Sequence, residues 1–403
     1  MHLLKKYSEP LLFISLAIAF LVIFIYLKRT PALVDEHDGY KQILRFSVFD
    51  WQLEKISAMP TYYFVLAMGS KIIQNDTLGA MRALTLCFSF FSVFVFYLIA
   101  KILSPQNSFI KTIQFAFLPI LHIFFFLVYT EPFSLLFTLL SFYFALKKNY
   151  SASGFLGIIS TAIRQNNIMW MGFTLLFLYV QEHGFKFNKS LVLAHLKKSW
   201  SFILGFVLFA VFVYLNGGIA IGDAKMHPGN LSIGNIVFAL FTFTILFLPL
   251  ALAETRSIVK GFVQDKLFLL FTIVCLGIFW FLFNNNHPYN LIDYDYFVRN
   301  NLMHFFLSAP ALKIAFFIIA VYAIHILKVV KLERDYLYLF YFFSIVFLLP
   351  SWLIDVRYYV IPLSFFLLFK KERSLPVEIL TIIGFLIMDA WVIKMARTVT
   401  MFL

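Results

Sequence analysis

The sequence predicts an all-α polytopic membrane protein, and three observations carry that prediction. Of 403 residues, 62% are hydrophobic and only 13% are charged. Mean hydropathy is +0.88, too high for a soluble domain of this size. Apolar runs recur along the chain, many near the ~17–25 residues that a bilayer core of about 30 Å requires. In lipid the backbone must satisfy its own hydrogen bonds, so these runs are expected to be helices.

Taken in order, the candidate spans are 10–27, 61–73, 83–103, 109–128, 133–146, 154–180 (interrupted), 200–215, 236–252, 267–283, 311–327, 336–353, 358–368 and 377–393. That makes about a dozen transmembrane helices in a single membrane-embedded domain over 1–403. The first run lacks a small-residue cleavage motif and reads as a retained anchor. Cys87 and Cys275 fall inside apolar runs, form no metal or disulfide pattern, and are expected in the core.

The formal net charge of +13 follows the positive-inside rule and does not call for a nucleic-acid partner. Basic clusters occupy every second loop: Lys147/Lys148, Lys186/Lys189/Lys197/Lys198, Arg256/Lys260/Lys266, Lys328/Lys331/Arg334 and Lys370/Lys371/Arg373. Those loops are placed in the cytosol, with Lys5 and Lys6 putting the N-terminus there too. The alternate loops, including 28–60, 129–132, 164–167, 216–235, 284–301 and 354–357, then face the other side. Three apolar segments separate loop 28–60 from loop 129–132. One of them must therefore be tilted or re-entrant, not a simple crossing.

Loop 28–60 opens with Val34-Asp35-Glu36-His37-Asp38, three carboxylates and an imidazole beside a membrane anchor. Apolar residues at helical spacing over 40–46 predict an interfacial amphipathic helix next to them. Trp51 suits the headgroup level. A carboxylate here can act as a general base toward a hydroxyl, and Asp35 is the best candidate. A His beside acids could join a metal site, but no regular ligand spacing supports one. No metal and no cofactor are predicted.

Ionisable residues at membrane depth are costly and usually face a functional cavity. Arg164-Gln165-Asn166-Asn167 interrupts a long apolar run, and a guanidinium can grip a phosphate bidentately. Glu131 lies between two apolar segments. Asp223 and His227 share one outer loop; His287, Asp293, Asp295 and Arg299 share another; Asp355 and Arg357 sit at a span boundary. No Walker loop, Rossmann glycine pattern or nucleophile elbow is present.

These stretches together resemble the dolichyl-phosphate-glucose-dependent alpha-1,2-glucosyltransferase family of lipid-linked oligosaccharide assembly, within the GT-C superfamily. Val34-Asp35-Glu36 with Gln42 is similar to its Met-Asp-Glu-x5-Gln opening, and Lys55-Ile56-Ser57-Ala58-Met59-Pro60 to its Lys-Ile-Thr-Thr-x-Pro. Arg82 stands where the family carries an Arg. Phe125-Phe126-Leu127-Val128-Tyr129-Thr130-Glu131 resembles Phe-Phe-x-x-Tyr-Tyr-Thr-Asp, with Glu131 in place of the Asp. Arg164-Gln165-Asn166-Asn167-Ile168-Met169-Trp170 is the most specific match, to Arg-Gln-Thr-Asn-Ile-Ile-Trp. Gly222-Asp223 with His227, His287-Pro288-Tyr289 and Arg357-Tyr358-Tyr359-Val360-Ile361-Pro362 complete the set. After His287-Pro288-Tyr289 the chain departs, with Asp293-Tyr294-Asp295-Tyr296 replacing the family's Asp-Asn-Arg-His-Tyr.

The resemblance implies a GT-C fold and inverting glucosyl transfer from a polyprenyl (dolichyl) phosphate glucose donor to a lipid-linked oligosaccharide acceptor. It implies Asp35 and Glu36 in catalysis. Arg164, Gln165, Asn167, Arg357 and His287 would hold the donor, and Glu131, Asp223 and His227 would serve the acceptor or support the site. The expected membrane is the endoplasmic reticulum in a eukaryote and the plasma membrane in a prokaryote. The rival readings are a GT-C transferase with another polyprenyl-phosphate sugar or acceptor, and a transporter or lipid flippase. The latter predicts an inverted repeat, and none is evident.

Overall fold

A computed structural model describes residues 2–53, 55–222, 226, 229–291 and 300–399, with side chains from Glu9 onward. Expectations that rest on Lys5, Lys6, Asp223, His227, Asp293, Asp295 and Arg299 lie outside the described residues or side chains. The described residues form helices and short 3-10 turns, with one isolated bridge between Leu332 and Lys370 and no strand. This is an integral membrane protein. Four helices are long and apolar enough to cross a bilayer: Glu9–Leu27, Leu78–Leu103, Pro310–Val329 and Leu375–Thr398. Three bent pairs raise the number to seven if each is one span, and five shorter apolar helices of 10–17 residues account for other apolar runs. A dozen full-length crossings is therefore not established.

The breaks have local causes. The run expected as one span over 236–252 is two helices, Gly234–Leu246 and Leu248–Gln264, bent by 99°. Pro249 sits in the first turn of the second helix, where its missing N–H costs nothing but where it cannot continue the first. Pro119 does the same between Ser108–Ala116 and Pro119–Phe126, bent by 55°. Arg164 is extended, at φ −137° and ψ 113°, and separates helix Tyr150–Ile163 from Ile168–His183 as the sequence suggested.

Contacts at the helix ends show which of the three segments returns to the end of the bundle from which it starts. The Leu78–Leu103 helix starts beside Lys28, whose carbonyl lies 3.7 Å from a Cβ built on Gly79, and ends where Lys101 pairs with Glu9 at 2.6 Å. It therefore runs the length of the first helix. Thr61–Ile73 has both ends against one helix, Asp35–Ser47. Near its start, Tyr63 would stand 2.8 Å from a Cβ on Gly39. Beyond its end, the Asp76 carbonyl accepts from the Tyr40 hydroxyl at 2.9 Å. Thr61–Ile73 thus begins and ends beside that helix.

The centre is packed with aromatic rings. Trp170 is fully buried, with ring centroids 5.1 Å from Phe365 and 5.4 Å from Phe347. Phe142 and Phe173 join the same cluster. Cys275 is buried, but Cys87 is exposed on its helix and is not a core residue. At the end away from loop 28–60, Lys111 reaches Glu333 at 3.0 Å and Glu372 at 3.2 Å, and Lys370 pairs with Glu378 at 2.5 Å. Lys370 of a basic loop and Lys111 of helix Ser108–Ala116 are therefore buried and paired.

Gly154 marks the closest helix contact. A Cβ there would meet Ser201 Oγ at 2.1 Å and the Phe202 backbone nitrogen at 2.9 Å. A backbone atom cannot rotate away, so Gly154→Val should lower the unfolding midpoint, by about 1–3 kcal/mol of overpacking. Thermal unfolding in detergent checks this, and an unchanged midpoint would mean the two helices are free to separate.

Candidate active site

The acids of loop 28–60 are not on a loop. They form the first turn of helix Asp35–Ser47, where the positive end of the helix dipole favours carboxylates. Val34 precedes them with φ 49° and ψ −120°, a conformation unusual for a β-branched residue. Surrounding bonds hold it there: Leu33 N donates to Glu36 Oε2 at 3.0 Å, and the Tyr129 hydroxyl donates to the Leu33 carbonyl at 2.8 Å. The turn that presents Asp35 is therefore fixed from two sides.

Neighbouring Asp35 and Glu36 point in opposite directions. Glu36 is fully buried and accepts from Arg82 Nε at 2.8 Å and Nη2 at 2.6 Å. It also accepts from Val128 N at 2.8 Å. Arg82 donates onward to the carbonyls of Leu27, Thr30 and Pro31 at 2.9–3.0 Å. This pair ties the first helix, the acidic helix and the 125–131 motif together. Asp35 instead faces a cavity of about 310 Å³.

That cavity collects the outer loops. It is lined by Asp35 and Asp38, by Lys55 and Ser57, by Tyr63, by Tyr129 and Thr130, by Arg164, by Tyr289, and by Arg357 and Tyr358. Arg357 is its hub. Its Nη1 pairs with Asp35 Oδ2 at 2.7 Å, and its Nε and Nη2 both donate to Asp355 Oδ2, at 2.9 and 2.7 Å. Its Nε also lies 3.9 Å from Glu131 Oε1. Arg164 pairs with the same Glu131 oxygen and donates to Thr130 Oγ1 at 3.3 Å. A nearly buried Glu131 thus stands between two guanidinium groups. The Arg164 guanidinium lies 5.9 Å from the Tyr358 ring centroid, within cation–π range. A second cavity of about 160 Å³ shares Ser57, Ala58, Arg164, Leu353 and Tyr358 with the first and is otherwise mostly apolar, with Ile168, Met169, Phe209 and Phe347 among its walls.

Other expected residues stand elsewhere. Gln165 lines the second cavity and donates to the Ser57 carbonyl at 2.7 Å, anchoring the 55–60 strap. Asn167 lines neither of these two cavities. It is buried between helices and donates to Ser134 Oγ at 2.5 Å and Ser160 Oγ at 2.9 Å. His287 is buried, with Nε2 2.8 Å from the Met226 carbonyl and Nδ1 accepting from Tyr289 N at 3.0 Å. A carbonyl only accepts, so Nε2 carries the hydrogen and both ring nitrogens are engaged. His287 shapes the loop that delivers Tyr289. His37 is exposed.

Sequence reasoning passed over Asn235. Fully buried, it donates to the carbonyls of Ser351 and Leu353 at 2.9 and 2.7 Å, and accepts from Asp355 N at 3.2 Å and the Tyr359 hydroxyl at 3.0 Å. It holds the segment that carries Asp355 and Arg357. Its signal was a lone amide at the head of an apolar run.

With this geometry in view, comparison with known proteins places the chain. The family model described as "DIE2/ALG10 family" matches residues 31–368. The chain belongs to the DIE2/ALG10 family. A human relative named "Dol-P-Glc:Glc(2)Man(9)GlcNAc(2)-PP-Dol alpha-1,2-glucosyltransferase" is 27% identical over 74% of this chain and 72% of its own length. A Candida albicans relative of the same name is 26% identical over 66% of this chain and 63% of its own. Among solved structures, ArnT from Cupriavidus metallidurans bound to undecaprenyl phosphate aligns over 97% of this chain and 78% of its own, at 14% identity and a TM-score of 0.48. A likeness that loose carries no argument about the site. The DIE2/ALG10 match spans every lining residue of the larger cavity, from Val34 to Tyr358.

Proposed function

We propose that the chain transfers glucose from a polyprenyl (dolichyl) phosphate glucose to a lipid-linked oligosaccharide in an α-1,2 linkage, with inversion at the anomeric carbon. The family's relatives bear the name of that activity. The observation that carries the mechanism is one cavity presenting the Asp35 carboxylate together with Arg164 and Arg357.

In the reaction, the acceptor hydroxyl oxygen attacks the anomeric carbon. The bond from that carbon to the phosphate oxygen breaks, its electron pair stays on the phosphate, and the hydroxyl proton passes to Asp35. A positioned carboxylate supports such a step. Arg164 stands where the two cavities meet, so it can bind a phosphate whose lipid tail lies in the apolar one. It would oppose the negative charge as it grows on the leaving phosphate. Arg357, clamped by Asp355, orients Asp35 and adds a second positive charge. Gln165 anchors the strap beside the donor. Glu131 spaces the two guanidinium groups, and Glu36 holds the turn behind Asp35. The site faces the lumen of the endoplasmic reticulum, where such an acceptor is completed.

A donor screen tests this reading. The purified chain should transfer glucose from polyprenyl-phosphate glucose faster than the sugar of any other polyprenyl-phosphate donor. Preference for a different sugar would overturn it. Arg164→Ala should raise the donor concentration needed for half-maximal rate at least tenfold, the scale of one lost charge-assisted contact of about 1.5–3 kcal/mol. An unchanged donor dependence would remove Arg164 from phosphate binding.

A further inference from the structure

At the far end of helix Ile168–His183 from Arg164, three potential metal ligands meet. Glu182, His183 and His195 place one ligand atom each within 4.8 Å of one another. His183 Nε2 lies 3.7 Å from Glu182 Oε2, and His195 Nδ1 lies 4.0 Å from the same oxygen. His195 comes from the next helix, Lys189–Lys198, and is 3% exposed.

The state of His195 can be read from its partners. Its Nε2 lies 3.2 Å from the Leu175 carbonyl and 3.4 Å from the Ser199 hydroxyl; the nearer carbonyl can only accept, so Nε2 carries the hydrogen. In the neutral ring Nδ1 then presents a lone pair. That atom is buried, has no hydrogen-bond partner, and faces a carboxylate. Two lone-pair groups face to face repel unless a cation stands between them. A carbonyl bonded to the opposite ring nitrogen is also how metal-binding imidazoles are oriented.

Two further groups touch the cluster. Lys198 Nζ pairs with Glu182 Oε1 at 2.5 Å, and the Tyr150 hydroxyl donates to Oε2 at 2.7 Å. Lys198 engages the oxygen that the histidines do not face, and its side chain is half-exposed. It therefore competes for the charge of Glu182 without filling the gap between the rings.

We propose that Glu182, His183 and His195 bind a divalent transition-metal ion of the zinc type, through Glu182 Oε2, His183 Nε2 and His195 Nδ1. Imidazole with carboxylate suits such an ion. Zinc–ligand bonds of about 2.0–2.2 Å put tetrahedral ligand atoms roughly 3.4 Å apart. The 3.7 and 4.0 Å separations from the carboxylate close to that with shifts of a few tenths of an ångström, and the two histidine nitrogens, which lie within 4.8 Å of each other, close the rest by rotation of the more accessible His183 ring. The ion would staple the Lys189–Lys198 helix, whose one buried residue is His195, to the membrane bundle. The 16-residue helix separates it from the cavity by about 24 Å, at ~1.5 Å per residue. It therefore serves stability and takes no part in transfer.

The test uses the full chain, purified in detergent through a histidine-free tag, stripped with chelator and titrated with Co²⁺ and Zn²⁺. The expected result is one Co²⁺ per chain with a tetrahedral absorption signature, displaced by Zn²⁺, and a higher unfolding midpoint with metal than without. His195→Ala and, on the more accessible side, His183→Gln should each weaken uptake at least tenfold. Lys198→Ala should keep or tighten it, because a competing cation is gone. No stoichiometric uptake by the wild type, or uptake by both histidine variants as tight as the wild type's, would overturn the site and leave His195 as the proton-bearing partner of Glu182.

Discussion

Asp35→Asn should reduce glucosyl transfer by about 10²–10⁴-fold, the usual contribution of a positioned general base, while leaving the amount and monodispersity of purified protein unchanged. The amide keeps the shape of the side chain but cannot take a proton from an attacking hydroxyl. Stability should barely move, because the Asp35 side chain is 40% exposed. An ion pair that open to solvent typically adds no more than about 1 kcal/mol. Turnover measured at saturating donor and acceptor separates loss of chemistry from loss of binding. A variant with near-normal turnover would remove Asp35 from the reaction.

The adjacent residue should behave in the opposite way. Glu36→Gln leaves the fully buried Arg82 guanidinium without its carboxylate. Breaking a buried pair from one side typically costs about 3–5 kcal/mol, because an uncompensated charge remains inside. The expected phenotype is a lower unfolding midpoint and poor yield, with the surviving folded fraction still active. Arg82→Lys should be nearly as damaging, since an ammonium cannot reproduce the six contacts that the planar guanidinium makes. A Glu36→Gln protein with normal unfolding and lost turnover would instead place Glu36 in the chemistry.

This contrast shows what the sequence could and could not convey. Hydropathy located the apolar runs, and Pro119, Pro249 and Arg164 stand at three places where the chain breaks, although Pro119 and Pro249 were each read through as part of one span. The alternation of basic and polar loops anticipated that 28–60, 129–132, 164–167 and 354–357 would share a side, and the larger cavity draws lining residues from each of them. Which of three segments returns to the end from which it starts was not legible. It depends on Gly39 and Tyr40 of one helix meeting both ends of another, and that is a tertiary fact.

Side-chain direction was the larger gap. Asp35 and Glu36 are neighbours in a family-like motif, yet a helix turns each residue by about 100°, so adjacent acids need not share a surface. Asn167 belongs to the most specific motif in the chain, but its amide bonds the serines of packed helices. Asp38 was given no role by the family resemblance, yet it lines the cavity one turn from Asp35. Periodicity identifies which face of a helix is apolar. It does not name the partner that a buried polar group will find, because that choice is made by chain segments far apart in sequence, as when Arg357 meets Asp35.

The most direct measurement is product analysis of a single reaction run with wild type and Asp35→Asn in parallel. Labelled polyprenyl-phosphate glucose and a lipid-linked oligosaccharide would be incubated with each protein, and the linkage and anomeric configuration of the added sugar determined. An inverted, α-1,2-linked terminal glucose made by the wild type and lost in the variant is the expected result. Retention of configuration, a different linkage, or equal product from both proteins would contradict an Asp35-assisted single displacement.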